Sequence, residues 1–216
     1  MLSIFTPKFL GINNILNIFK QVSINGIIAV GMTFVIIAGD IDLSVGSVAA
    51  LGGLLVAGLE VNNGVNVWVG ILISLAICTA IGVAMGLIIT KTGVHAFVVT
   101  MGAMSIVRGV CYLYTDGYPI SGISDVFRSI GGGSLWKIPY LVFFLAVTII
   151  IGAVVLFKTP FGRNVFAVGG NREATRLAGI NVDRVRIINF AISSFCAGLS
   201  GILLASRVSS GQPVAS

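Results

Sequence analysis

At 216 residues, 56% hydrophobic and 9% charged, with a mean hydropathy of +1.07, this chain has far too few charges for a water-facing surface, so its solvent is lipid. The net charge of +6 does not point to nucleic acid, because six of the thirteen basic residues fall in one stretch, Lys158 to Arg186. Cys78, Cys111 and Cys196 each lie in an apolar run, which argues against a disulfide framework or a metal site and leaves them as small hydrophobes.

A membrane-crossing helix needs roughly 20 apolar residues to cover a hydrocarbon core of about 30 Å. Six runs qualify: Val22–Gly39, Leu43–Leu59, Asn66–Thr90, Val94–Tyr114, Ile138–Phe157 and Ile187–Ser206. The expected fold is all-α and polytopic, one partial transmembrane domain over residues 1–216. Ahead of the first run, Met1 to Lys20 carries Pro7 and several polar breaks, and lacks the compact apolar core of a cleavable signal peptide.

The first two runs are separated only by "GDID". As one helix, Val22–Leu59 would measure about 57 Å and hold Asp40 and Asp42 deep in lipid, each at a cost of about 2.5–3.5 kcal/mol. A break at Gly39–Asp42 gives two helices just long enough to cross. Gly39 can end the first in a left-handed conformation, and Asp42 can cap the second by accepting from the amides of Ser44 or Val45. At the cytoplasmic edge both carboxylates are expected to stay hydrated, with Asp40 left free for another role. Asp40, Asp42, Ser44 and Gly46 are the candidates for a cytoplasmic turn or gate.

Further along, Gly82–Gly86 and Ser194–Gly198 have the small-xxx-small spacing of closely approaching helices. Asn25, Thr33, Ser74 and Thr79 are polar positions available to line a path. His95 reads as an interfacial residue rather than a proton relay. Arg108 can snorkel outward, pair with Asp116, or take part in a polar sugar path. The segment from Asp116 to Lys137 is rich in Gly and Ser, and reads as an external loop with a short amphipathic piece around Val126–Ile130.

Residues 158–186 carry Lys158, Arg163, Arg172, Arg176, Arg184 and Arg186 against only Glu173 and Asp183, so this loop is expected to be cytoplasmic. Alternation then places Lys91 and the Asp40/Asp42 turn inside, and Glu60–Asn63, the 116–137 loop and the Met1–Lys20 segment outside. Lys8 and Lys20 fit that side poorly, and one more helix ahead of Met1 would repair the pattern.

Within the basic loop, "GGNREATRLAGIN" has the makings of a two-turn helix. Asn171 is its N-cap, Glu173 suits the positive end, Arg176 the last turn, and Gly179 the C′ position. Ala174, Leu177 and Ala178 share one face, and Arg172 and Arg176 another. So short a helix is marginal alone and calls for a partner surface, either a protein or anionic lipid headgroups. No G-x-x-x-x-G-K-[ST] occurs, so any ATP hydrolysis belongs to another polypeptide. No catalytic, cofactor or metal site is expected in this chain.

Two blocks, "GMTFVIIAGDIDLSVGSVAALGG" and "TPFGRNVFAVGGNREATRLAGINVDRVRI", resemble the membrane permeases of bacterial ATP-driven monosaccharide importers of the ribose, xylose and arabinose type. The end, "RVSSGQPVAS", resembles that family's R-x-x-S-x-Q-P. By the same comparison the chain is truncated at both ends, lacking a first helix and a glycine-rich block after Pro213. The resemblance implies a multi-pass subunit of the bacterial plasma membrane that forms the path for a sugar such as ribose. It further implies an ATP-binding-cassette ATPase subunit carrying the ATP, a second permease copy (identical or paralogous), and an extracytoplasmic sugar-binding protein. Gly162, Arg163, Gly169, Gly170, Asn171, Glu173, Ala174, Arg176, Leu177 and Gly179 match the family's coupling loop, the element that docks on the ATPase. Two other readings stay open: an inactive fragment or scaffold of such a permease, and an ion-driven secondary transporter.

Overall fold

The runs of apolar residues separate into long helices because each is bounded by residues that stop helix growth. The computed structural model describes residues 12–136 and 138–213. Pro7 and Lys8, Lys137 at the end of the external loop, and the last residues of the "RVSSGQPVAS" motif lie outside the described residues.

The helices in chain order are α1 (Ile12–Ile37), α2 (Val45–Asn63), α3 (Val67–Thr92), α4 (Ala96–Thr115), α5 (Asp125–Gly132), α6 (Tyr140–Lys158), α7 (Pro160–Gly170), α8 (Arg172–Leu177) and α9 (Val182–Val208). Six of them, α1 to α4, α6 and α9, are long and apolar enough to cross a membrane. Their bounds follow the six expected runs to within a few residues, except that α1 begins well ahead of Val22 and α9 begins at Val182 rather than Ile187. Asn181 caps α9 by accepting from the Arg184 amide, and Val182 and Val185 are buried against Phe34 and Ala38. This polar-looking turn is core on one side.

The stops are glycine and asparagine chemistry. Gly39, Gly64 and Gly93 take positive φ at the ends of α1, α2 and α3. After α1 the Asp40 amide reaches back to the Val35 carbonyl and the Gly39 amide to Ile36, the paired bonds of a Schellman cap. Asn66 caps α3 through the Trp68 amide, and His95 caps α4 through the Phe97 amide.

α9 is the centre of the bundle and packs against α1, α2 and α3. Small residues let it come close. A Cβ on Gly201 would collide with the Ala49 carbonyl of α2, and one on Gly82 of α3 would meet Ser194. Of the two small-xxx-small pairs, Gly82 and Ser194 meet across the α3–α9 contact, while Gly86 lies against Ile187 and Gly198 against Cys78. Serine hydroxyls complete the fit: Ser200 donates to the Ile24 carbonyl at 2.8 Å, and Ser74 to the Gly52 carbonyl at 2.8 Å. Both hydroxyls are buried, so each bond removes a polar group from lipid.

The two ends of the bundle differ. At one end the Gly39–Ser44 turn meets the basic 158–186 segment. At the other, Glu60 accepts from the Ser124 amide at 3.2 Å, which joins the α2 end to the 116–137 segment. That segment holds the eight-residue α5, whose Gly131 amide donates to Ser206 of α9 at 2.6 Å. Two short strand pairs, β1 (Ile120–Ser121) with β4 (Ser210–Gly211) and β2 (Ser134–Leu135) with β3 (Ile138–Pro139), tie its ends down. Both tryptophans and all four tyrosines lie in segments at this end, as interfacial aromatics do, while five of the eight arginines fall in the 158–186 segment at the other.

Candidate functional site

The basic segment is more built than a loop. α7 starts with Thr159, whose hydroxyl accepts from the Gly162 amide at 3.2 Å, and Pro160 follows at the first helical position. Val165 and Val168 then turn inward to join Phe34, Ala38, Leu156, Val182 and Val185 in one buried cluster. Gly162 is buried against α6, where a Cβ would collide with the Leu156 carbonyl. Arg163 and Gly170 are exposed.

α8 follows without a linker. The Asn171 carboxamide oxygen accepts from the amides of Glu173 at 3.0 Å and Ala174 at 2.9 Å, as expected of its N-cap. Glu173 sits in the first turn and Arg176 in the last, and Gly179 closes the helix with φ +81°. The buried Thr175 hydroxyl lies within bonding distance of the carbonyls of Ala167 (2.8 Å) and Asn171 (2.7 Å), which hold α8 against α7. Ala174, Leu177 and Ala178 are exposed, and Leu177 is 86% so. An apolar face stands open on a helix that is otherwise fixed.

The expected hydration of the two aspartates is overturned. Asp40 is 5% exposed and Asp42 1%. Their charges are met by protein. The Arg186 guanidinium forks onto Asp40, Nε to Oδ2 at 2.8 Å and Nη2 to Oδ1 at 2.8 Å. Arg172 adds a third donor to the site, with one nitrogen, Nη2, reaching Asp40 Oδ1 at 3.0 Å and the carbonyls of Ala38 and Gly39 at 3.0 and 3.1 Å. Asp40 is therefore not free, and Arg172 turns inward instead of sharing an outward face with Arg176, which pairs with Asp183 at 3.2 Å.

Asp42 accepts from the Ser44 amide at 2.9 Å, as expected, and from the Ser44 and Ser193 hydroxyls at 2.6 and 2.8 Å. It stands ahead of the cap proper, which is Ser44. Three donors and the positive end of α2 offset its burial. Gly46 faces open space. Arg108 is exposed on α4, and among the described residues no ion pair joins it to Asp116.

Residues 14–216 match the family described as branched-chain amino acid transport system / permease component. The chain belongs to this permease family. The permease is also 42% identical to the ribose import permease protein RbsC of Haemophilus influenzae, over all of this chain and 68% of that protein. It is 42% identical to its counterpart of the same name in Bacillus subtilis, over all of this chain and 67% of that one. The L-arabinose transport system permease protein AraH of Escherichia coli is 37% identical, over 99% of this chain and 65% of its own length. No solved structure gives a significant match. With six helices among the described residues long and apolar enough to cross a membrane, the permease is a multi-pass protein of the bacterial inner membrane.

Proposed function

We propose that this permease forms the translocation path of an ATP-binding-cassette importer for a monosaccharide of the ribose and arabinose kind. ATP is bound and split on a separate ATPase subunit, which docks on the exposed apolar face of residues 171–179, made by Ala174, Leu177 and Ala178. A second permease copy completes the path, an extracytoplasmic binding protein delivers the sugar, and the bilayer is the remaining partner. Gly162, Arg163, Gly169, Gly170 and Arg176 shape the docking segment, and Arg108 is a candidate for the path.

The observation that carries this reading is α8, capped at both ends, held from behind by Thr175, and presenting Leu177 at 86% exposure beside the basic surface. An apolar side chain that a helix displays so openly is suited to a protein groove. The relatives' names supply the substrate class. Leu177→Asp sets a charge against a surface that docking would desolvate. Membrane insertion should be unchanged, while co-purification of the ATPase and sugar-stimulated hydrolysis should fall sharply. Retention of both would sink the docking face.

The burial of Asp40 and Asp42 is a feature that an ion-driven carrier would also use. Uptake into proteoliposomes driven by ATP, with ion gradients collapsed, separates the two readings.

A further inference from the structure

We propose that Arg172 and Gly169 tie the coupling segment to the cytoplasmic end of α1, so that movement imposed on α8 carries the Gly39–Ser44 turn with it. The inference rests on the docking role of α8 and adds where that motion goes.

Two independent contacts make the tie. Arg172 Nη2 lies within 3.0–3.1 Å of three oxygens, those of Ala38, Gly39 and the Asp40 carboxylate. The first two are carbonyls that the end of α1 leaves without helical partners. One turn earlier in the segment, Gly169 lies against the backbone of Ile37, whose carbonyl a Cβ would strike. Behind both, Phe34 of α1 stacks on Phe161 of α7 with ring centroids 6.5 Å apart.

The two arginines on Asp40 are built for different tasks. Arg186 is 12% exposed and uses two nitrogens in a fork, which fixes Asp40 to α9. Arg172 is 42% exposed, uses a single nitrogen, and comes from the segment that meets the partner. Asp40 keeps a counter-charge if Arg172 is removed, so the tie can be cut without stranding a buried anion. From the turn, the bonds of Asp42 to Ser44 extend the same connection to the start of α2, and its bond to Ser193 reaches α9. Arg172 is thus a positioning residue for transport.

The test uses the permease assembled with its ATPase and binding protein in proteoliposomes. Arg172→Gln should keep the ATPase bound and hydrolysing, while sugar moved per ATP falls about tenfold, within the range of ordinary coupling energies. Arg172→Lys should restore most of the ratio, because one point-charge donor suffices there, whereas Arg186→Lys should fail to replace a fork. An unchanged ratio in Arg172→Gln overturns the tie. Loss of the bound ATPase in that variant also overturns it, because Arg172 then belongs to the docking face. The docking reading itself is judged separately, by Leu177→Asp. Spin labels on Ile41 and Glu173 of an otherwise unaltered permease supply a check that does not depend on the folding of the arginine variants. Their separation should hold between nucleotide-free and ATP-bound states, and a change beyond one helical pitch, about 5 Å, overturns the proposal.

Discussion

Asp40 holds its charge between two guanidinium groups of unequal commitment, and the inequality is measurable. Arg186→Ala removes the fork and leaves the carboxylate buried against a single half-exposed donor. A cost of about 3–5 kcal/mol is expected for breaking a buried pair. It should show as a large fall in the unfolding temperature of the detergent-solubilised protein, well beyond that of Arg172→Ala. At Asp42 the comparison is between asparagine and leucine as replacements. The asparagine keeps an oxygen for the Ser44 amide, while the leucine leaves that amide and the Ser193 hydroxyl without their acceptor. Asp42→Asn should therefore fold in near-normal amounts and Asp42→Leu should not. Equal losses would remove the local bonding role. The Ser44 acceptor was legible from spacing, since an Asp two residues ahead of a helix start has few other uses. The Ser193 and Arg186 contacts were not legible. They span 151 and 146 residues, and nothing in a single chain's sequence says which serine or arginine of α9 faces the turn.

Among the elements, α8 was the easiest to foresee and α7 the hardest. Asn171 and Gly179 are strong local signals for the two ends of a short helix, and both do what their chemistry allows. Asn171→Ala should cost about 1 kcal/mol of local stability. Faster amide exchange over residues 172–178, with the bundle unaffected, is the readout. α7 hid because its inward positions, Val165 and Val168, are too few to advertise a helical period, and because glycines at 162, 169 and 170 read as loop. At 162 and 169 they serve close approach instead. The same logic holds inside the membrane, where Gly201→Val should prevent α9 from seating on α2 and abolish the folded monodisperse species on size-exclusion chromatography.

For the whole molecule, the prediction concerns sidedness. Ile41 is 47% exposed in the turn between α1 and α2, and Asp125 begins α5 at the opposite end of the bundle. Single cysteines there, in a background without Cys78, Cys111 and Cys196, should react with an impermeant thiol reagent from opposite sides of the membrane. Labelling of both from outside would overturn the orientation. Helix number and the basic side were readable because lipid imposes length and charge rules on each segment independently. The order in which helices surround α9 was not, because every apolar face looks alike to a reader of one sequence.

The clamp on Asp40 also has a history in time. Its two arginines lie 132 and 146 residues downstream, and at ribosomal speeds of about 5–20 residues per second the later one emerges some 7–30 s after the aspartate. During that interval α1 and α2 have been made and their acidic turn has no basic neighbour. A carboxylate in that position is expected to wait in water beside the insertion machinery, and to be buried only when α9 arrives. Synthesis arrested before Arg172 should leave a cysteine placed at Ser44 open to thiol reagents from the cytoplasmic side, and release to full length should close it. α9 thus decides when the hairpin of α1 and α2 is finished.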